Sequence, residues 1–91
     1  MTTVLVQHRV SDYAAWKAVY EGIDDLLTES GVRRHHAKQL VEDPNMVVVS
    51  HEFDGIDDAR RFVSEGRVKA EMSRAGLSPV YFQVLVLEDA A

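Results

Sequence analysis

The feature that most constrains the fold of this chain is the order in which two hydrophobic periods follow each other. Apolar residues alternate with a period of two in four segments, and they recur every three or four residues in two longer segments. Alternation is typical of β-strands with one buried face, and the longer period is typical of amphipathic helices. The sequence therefore predicts the order strand, helix, strand, strand, helix, strand within a single domain spanning residues 1–91.

The first strand and the first helix have the clearest patterns. From Thr3 to Val10, one face carries valines and His8. Ser11 or Asp12 is expected to cap the following helix, because short polar side chains accept hydrogen bonds from free backbone N–H groups there. That helix is expected to run to Ser30-Gly31 with an unbroken apolar stripe of Tyr13, Trp16, Tyr20, Ile23 and Leu27.

The middle of the chain predicts a β-hairpin. Residues 32–42 are polar on both faces, which favours a strand at the edge of a sheet. Asp43-Pro44-Asn45 is expected to form the turn, because proline fixes φ and asparagine tolerates positive φ. The third strand is predicted from Met46 to Phe53, and its Val47-Val48-Val49 run favours a central position.

The second helix is expected to begin at Asp54 or Asp57 and to end at Gly76. Gly66 lies inside its apolar stripe, where glycine costs about 1 kcal/mol relative to alanine. We therefore predict a break at Gly66. A last strand follows Pro79, with one face formed by Phe82, Val84 and Val86.

This order of elements predicts an α+β fold of the ferredoxin-like βαββαβ type. Two right-handed crossovers give a four-stranded antiparallel sheet in the order 4-1-3-2, with both helices on one face. Within that sheet, we expect the first and third strands to lie at the centre as parallel neighbours. No helix is left to cover the face that carries Leu5, Val48 and Leu85, so a second copy of the chain is expected there.

Composition removes several classes of function. The 91 residues include no cysteine, which excludes disulfides, thiolate catalysis and cysteine-bound zinc. The net charge of −5 argues against a nucleic-acid partner, because phosphate binding needs a positive surface. Neither a signal peptide nor a membrane-spanning apolar run is visible, so a cytoplasmic protein without a membrane partner is expected. A core this small is marginal alone, which favours a homodimer.

The chain resembles the dimeric α/β-barrel superfamily, which includes the antibiotic-biosynthesis-monooxygenase-like domains. The resemblance covers essentially the whole chain. Besides the element order, it depends on the helix after Ser11-Asp12-Tyr13, the strand ending in Ser50-His51-Glu52-Phe53, and the helix from Asp57 to Gly76 broken at Gly66. It implies a homodimer with a ligand site between the helices and the sheet of each subunit. Members oxidise phenolic or anthrone-like aromatics without a cofactor, cyclise polyketides or degrade haem.

The haem-degrading pattern of that superfamily is not matched. It has asparagine on the first strand, tryptophan at the end of the third, and a haem-ligating histidine on the second helix. This chain has Gln7 or His8 on the first strand and Phe53 at the end of the third, and it has no histidine between Asp57 and Gly76. We therefore expect no cofactor.

Two histidines, His8 and His51, are the candidate catalytic residues. Each ends a run of valines that should face the helices, and parallel central strands would bring the two imidazoles together. A neutral imidazole in an apolar pocket can abstract a phenolic or α-carbonyl proton. His35 or His36 is a further candidate, depending on the hairpin register, since adjacent strand residues face opposite sides. A small apolar aromatic substrate is expected to contact Tyr13, Trp16, Phe53, Phe62 and Met72.

The residues leave two classes of function open. One is a small homodimeric, cofactor-independent monooxygenase or cyclase that acts on an aromatic or polyketide-like molecule in a helix–sheet pocket. The other is a non-catalytic ligand-binding or structural dimer, because histidines at strand ends and aromatic residues on a helix stripe are often ordinary core residues. Metal binding by three histidines is conceivable, but no His-x-x-x-His spacing supports it, so no metal site is expected. A pocket containing His8 and His51 favours the enzyme, whereas a filled helix–sheet layer favours the second class.

Overall fold

The part of the chain that the structure describes contains four β-strands and four short helices, joined by turns and loops. The computed structural model describes the backbone of residues 1–74 and 81–90, and the side chains of these residues except 69, 72–74, 81 and 82. None of the described helices is long and apolar enough to cross a membrane. The elements in chain order are β1 (Thr2–Arg9), α1 (Tyr13–Gly22), α2 (Asp24–Glu29), β2 (Arg34–Leu40), β3 (Asp43–Phe53), α3 (Ile56–Glu65), α4 (Arg67–Arg74) and β4 (Tyr81–Glu88).

The strands form one four-stranded antiparallel sheet in the order β2-β3-β1-β4. This is the predicted order 4-1-3-2 counted from the opposite edge, so the predicted α+β, ferredoxin-like class is confirmed. The edge position of β2 and the central position of β3 are also confirmed. The parallel pairing expected for the first and third strands is wrong, because β1 and β3 are antiparallel. A crossover makes β1 parallel to β2, and the hairpin then reverses the chain, so β3 must run against β1.

The register between β1 and β3 decides which side chains face the helices. Val4 lies opposite His51, and His8 lies opposite Val47. All four of these side chains are buried, so this face of the sheet is the covered face. The hydrophobic core lies between this face and the helices, and its buried members are Val4, Val10, Trp16, Tyr20, Ile23, Leu27, Val32, Val47, Val49, Phe53 and Ala59.

The first helix begins where it was predicted but is divided. Asp12 Oδ1 accepts hydrogen bonds from the backbone N–H groups of Ala14 and Ala15 at 3.0 and 3.3 Å, which confirms the cap. The helix was expected to continue past Ile23. Instead, the Ile23 N–H bonds to the Tyr20 carbonyl at 3.2 Å, a tight turn that ends α1 and starts α2.

The break predicted in the second helix is confirmed at Gly66. Its φ of +65° lies in the left-handed region, which glycine adopts without a Cβ clash. The helix begins at Ile56 after Gly55, so the start expected at Asp54 or Asp57 is wrong. The carboxylate of Asp54 instead accepts hydrogen bonds from the Arg33 side chain at 2.9 and 2.6 Å. The end expected at Gly76 lies outside the described residues.

The hairpin turn lies two residues earlier than predicted. Leu40 pairs with Asp43, so residues 41–42 form the turn, and Asp43-Pro44-Asn45 belongs to the start of β3. Asp43 Oδ1 still accepts a hydrogen bond from the Asn45 backbone N–H at 3.2 Å, which is the local contact typical of such sequences. Pro44 is tolerated because it lies near the beginning of the strand, outside the ladder with β1.

Candidate active site

Aromatic side chains on α1 form a stacked row under the covered face. Tyr13, Trp16 and Tyr20 are spaced by three and four residues, so they lie on one side of the helix. The ring centroids of Tyr13 and Trp16 are 5.8 Å apart, and those of Trp16 and Tyr20 are 4.8 Å apart with planes tilted by 13°. Trp16 Nε1 is buried and has no hydrogen-bond partner among the described residues. The row gives the site one flat, apolar wall.

The hydroxyl of Tyr20 lies between two imidazoles. Tyr20 Oη is 2.9 Å from His35 Nδ1 and 3.3 Å from His51 Nε2. His35 and His51 lie opposite each other on β2 and β3, so both project onto the covered face, while His36 faces the other side. The second nitrogen of His35, Nε2, is 3.0 Å from Asp24 Oδ1. Asp24, His35, Tyr20 and His51 together are called the Tyr20 cluster below.

Burial controls ionisation in the Tyr20 cluster. Burial, followed by repulsion from the nearby His35, lowers the pKa of His51 to about 4, so this imidazole is neutral at pH 7. Burial, followed by the negative charge of Asp24, raises the pKa of Tyr20, so its hydroxyl keeps its proton. Tyr20 and His51, the inner part of the cluster, are therefore uncharged and can pass hydrogen bonds from one to the other. The carboxylate of Asp24 lies nearer the surface.

A groove opens between α1 and β2 on the outer side of the Tyr20 cluster. Its volume is about 550 Å³, which lies within the range typical of small-molecule sites. The side chain of His35 is 30% exposed, so His35 is the cluster histidine that reaches the groove, and His51 lies buried behind it. The residues lining the groove are Tyr13, Trp16, Lys17, Tyr20, Glu21, Asp24, His35, His36 and Ala37.

His8 lies at the opposite end of the covered face from His51. In the β1–β3 register, His51 is paired with Val4, so four positions separate the two histidines along the strands, or roughly 13 Å. The His8 ring contacts Trp16 with centroids 5.6 Å apart, and burial lowers the pKa of His8. Both histidines face the helices as expected. The expectation that they meet is wrong, because it depended on parallel central strands.

The residues predicted to bind a substrate divide into two groups. Tyr13 and Trp16 line the groove. Phe53 is fully buried, and its ring centroid lies 5.2 Å from that of Phe62. The centroids of Phe62 and His51 are 5.1 Å apart. These two phenylalanines therefore lie behind the groove in the core. The side chain of Met72 lies outside the described residues.

Two residues of the Tyr20 cluster were not singled out by the sequence, and a third was named only as one of two alternatives. Tyr20 was assigned to the core stripe, Asp24 lay on the polar side of the helix, and His35 was an alternative to His36. One signal was available, because Tyr20 and Asp24 are four residues apart, a spacing that places side chains on one side of a helix. The contact with His35 depends on the hairpin register, which no local pattern specifies.

The donors and acceptors of the cluster are suited to proton transfer. Imidazoles, a phenol and a carboxylate are joined at hydrogen-bond distance, and one end of the series faces the groove. Among the residues that the structure describes, no group of three or more His, Cys, Asp or Glu side chains is arranged to hold a metal ion. The arrangement can therefore accept a proton from a molecule in the groove and stabilise the resulting charge.

The fold is that of the antibiotic-biosynthesis-monooxygenase-like domains, a class of ferredoxin-like α/β proteins. An antibiotic biosynthesis monooxygenase candidate from Bordetella bronchiseptica is similar with a TM-score of 0.81 at 13% identity, covering 99% of this chain and 97% of that one. SnoaB, a cofactor-independent oxygenase from Streptomyces nogalater, is similar with a TM-score of 0.78 at 15% identity, covering 99% and 93%. NE2512, a protein of unknown function from Nitrosomonas europaea, has a TM-score of 0.75 at 19% identity, covering 99% and 89%.

No family model and no curated protein matches the sequence itself. At identities this low, the similarity of structures establishes the fold but not the reaction, so any activity must be argued from the residues of the site. The Tyr20 cluster and its groove are therefore the basis for any proposal about activity.

Proposed function

We propose that this protein is a homodimeric, cofactor-independent enzyme that oxidises or cyclises an aromatic or polyketide-like small molecule in the cytoplasm. The observation that carries the proposal is the position of His35, whose imidazole lines the groove while its two nitrogens contact Asp24 and Tyr20. An imidazole held in this way can take a proton from a phenol or from a carbon next to a carbonyl. The fold lends support, since the similar protein SnoaB is a cofactor-independent oxygenase.

Removal of a proton is the step that such chemistry requires of the protein. When an anthrone loses a proton from its CH₂ group, the carbanion can give electrons to O₂ without a cofactor. The CH₂ carbon then becomes a carbonyl carbon, one oxygen atom is retained, and the other leaves as water. In a cyclase, a carbanion formed in the same way on a polyketide chain attacks a carbonyl carbon of that chain, and the carbonyl oxygen takes up the electron pair and then a proton. Both outcomes begin at one base.

We assign that base to His35, with Nε2 as the atom that accepts the proton. In the ligand-free protein, Nε2 faces Asp24 Oδ1 at 3.0 Å, and the Asp24 side chain is 69% exposed. A side chain this exposed can move aside, and Nε2 can then accept a proton from the ligand when the hydrogen of neutral His35 lies on Nδ1. Once His35 is protonated, the nearby carboxylate of Asp24 stabilises the imidazolium charge. Tyr13, which is half-buried and lines the groove, offers a flat surface for an aromatic ring.

The two histidines first considered keep different places in the proposal. His51 is 3% exposed, so it supports His35 through Tyr20 and does not contact the ligand. His8 is not among the residues that line the groove, and it packs against Trp16, so we propose that it helps to hold the row of aromatic rings in place. Phe53 and Phe62 form the apolar backing of His51.

The proposal is tested by mixing the protein with an anthrone in air-saturated buffer and following quinone absorbance and oxygen uptake. His35→Ala should lower kcat by about 100-fold or more, the typical contribution of a general base, while the melting temperature stays close to that of the wild type. Glu42→Ala, in the turn of the same hairpin, is the matched control and should keep full activity. Wild-type rates in the His35→Ala variant would overturn the assignment.

A non-catalytic ligand-binding dimer is the second candidate function. It is favoured by the fact that both nitrogens of His35 already have partners. The packed layer behind the groove also favours it, since Trp16 and Phe53 are 1% and 0% exposed. Binding of the anthrone in a thermal-shift experiment, without quinone formation or oxygen uptake, would support this function over the enzyme.

The homodimer in the proposal is supported by the face of the sheet that the helices leave open. On this open face, Leu5 and Val48 are half-buried, and Leu85 and Leu87 are 41% and 43% exposed in the single chain. Apolar surface of this kind is usually covered by another layer, and a second sheet would complete a barrel. A stable pairing should bury more than about 1,200 Å² in total.

A further inference from the structure

The hydroxyl of Tyr20 has one proton to share between two imidazole nitrogens. Tyr20 Oη contacts His35 Nδ1 at 2.9 Å and His51 Nε2 at 3.3 Å. If the hydroxyl proton is to be paired within these two contacts, one imidazole must donate an N–H to Oη while the other accepts that proton. The protonation of His35 and of His51 is therefore linked through Tyr20.

Two arrangements satisfy this requirement. When His35 is neutral and contacts the Asp24 carboxylate, which only accepts, its hydrogen lies on Nε2. His35 Nδ1 then accepts from Tyr20, and His51 donates from Nε2. When Nδ1 of His35 carries a hydrogen, the direction reverses: His35 donates to Tyr20, Tyr20 donates to His51 Nε2, and the hydrogen of His51 lies on Nδ1.

We propose that Tyr20 and His51 are positioning residues that let the hydrogen of neutral His35 lie on Nδ1, so that Nε2, the nitrogen facing the groove, can act as the base. In the second arrangement, a neutral His35 keeps its hydrogen on Nδ1, so Nε2 has a free lone pair toward the groove. A ligand hydroxyl that replaces Asp24 gives its proton to Nε2, and the ligand oxygen keeps the electron pair. The role of these residues in catalysis depends on the proposed function, but the coupling itself exists in the ligand-free protein.

The surroundings of the cluster favour this coupling over exchange with water. Tyr20 and His51 are 6% and 3% exposed, and Phe62 closes the inner side of His51 with ring centroids 5.1 Å apart. Because His51 remains neutral, it responds to His35 by moving a hydrogen between its nitrogens. The charged or titratable groups around His35 are Asp24 from α2, Tyr13, Lys17, Tyr20 and Glu21 from α1, His36 from β2 and His51 from β3.

Ring-nitrogen NMR of ¹⁵N-histidine-labelled protein tests the coupling without any ligand. As His35 titrates, the hydrogen of His51 should move from Nε2 at high pH to Nδ1 at low pH, with the same midpoint as His35. In Tyr20→Phe, which keeps the stacked ring and removes the hydroxyl, the two midpoints should separate. Tyr13→Phe, on the same helix, should leave the linkage intact. A His51 that keeps one tautomer throughout the His35 titration would overturn the proposal.

Turnover of the anthrone then tests the positioning role. Tyr20→Phe should lower kcat by about tenfold, the effect of one hydrogen bond, with KM nearly unchanged and the pH profile displaced. His51→Gln, whose amide can still accept from Tyr20, should recover part of the rate that His51→Leu loses. Equal rates in His51→Gln and His51→Leu would overturn the role. If the wild type shows linked tautomers but no turnover, the coupling holds and the proposed function fails. If turnover depends on His35 but the tautomers are not linked, the proposed function holds and the coupling fails.

Discussion

The covered and open faces of the sheet are built by the same strands, yet they differ in what they contribute. On β3, Val47 and Val49 point into the core and are 0% and 1% exposed, whereas Val48 between them is half-buried on the open face. The covered face also carries His35 and His51, the two histidines of the Tyr20 cluster. Because side chains alternate along a strand, one residue can pack in the core of the single chain while the next faces outward and is available to a partner. Single substitutions on β3 can therefore separate folding from assembly.

The largest effect is expected from Val47→Asp. Its carboxylate would be buried without a partner, at a cost of several kcal/mol, which is comparable with the whole stability of a small domain, about 5–15 kcal/mol. Circular dichroism should show loss of the cooperative thermal transition. A Val47→Asp protein that melts like the wild type would mean that the covered face is not the core.

Val48→Asp should act on assembly instead. In the single chain this position is half-buried, so water can reach the carboxylate and the fold should survive. In the proposed dimer the charge would be buried, and the Kd should rise by about 100-fold or more. Sedimentation at micromolar concentration measures the change. Val41→Asp, in the turn at 96% exposure, is the control that should leave the dimer unaffected. A wild-type chain that sediments as a monomer would remove the dimer from the proposal.

Acid should weaken the covered face through His51. Its pKa falls from 6.5 in the unfolded chain to about 4 in the fold, so only the unfolded chain binds a proton between these values. Stability is therefore full above pH 6.5 and decreases as the pH falls toward 4, by up to about 3 kcal/mol. Chemical denaturation across this range should show the slope, and His51→Gln should reduce it, leaving the part that comes from His8, whose pKa burial also lowers. His36→Gln, on the open face, should not; equal slopes in both variants would contradict the assignment.

The smallest effect is expected on the open face at the ion pair between Arg34 and Glu52, whose Nε and Oε2 atoms are 3.0 Å apart. The Arg34 side chain is 65% exposed, and such pairs contribute about 0–1 kcal/mol. Arg34→Gln should therefore lower the free energy of unfolding by less than about 1 kcal/mol, and added salt should remove the difference. A larger loss that persists in high salt would show that this face is shielded from solvent even in the single chain.

Local patterns predicted the elements of the fold better than their boundaries. The break at Gly66 was predicted because glycine adopts a positive φ that other residues avoid. The break at Ile23 was not, because Ile23 continues the apolar stripe and is itself buried. The turn was misplaced because Asp43-Pro44-Asn45 has turn chemistry but lies at the beginning of a strand.

The candidate site was harder to predict because it depends on pairing between distant segments. His51 was found from its place after a run of valines, but its partner was chosen from an incorrect strand direction. Tyr20 and His35 come together only when α1 packs over the β2–β3 hairpin in the observed register. That register is set by a two-residue turn and by an irregularity between Gln39 and Leu40, and no alternation within β2 distinguishes His35 from His36.

The adjacent histidines of β2 also bear on how this site can evolve. If one residue were inserted into the turn so that β2 advanced by one position, every β2 side chain would exchange faces. His36 would then lie opposite His51, in the place that His35 occupies now. Arg34 and Lys38 would move to the covered face with it, so the hairpin would need further substitutions. An imidazole would therefore still lie opposite His51 after the insertion. At most strand positions, an insertion of one residue would remove the functional side chain from its site.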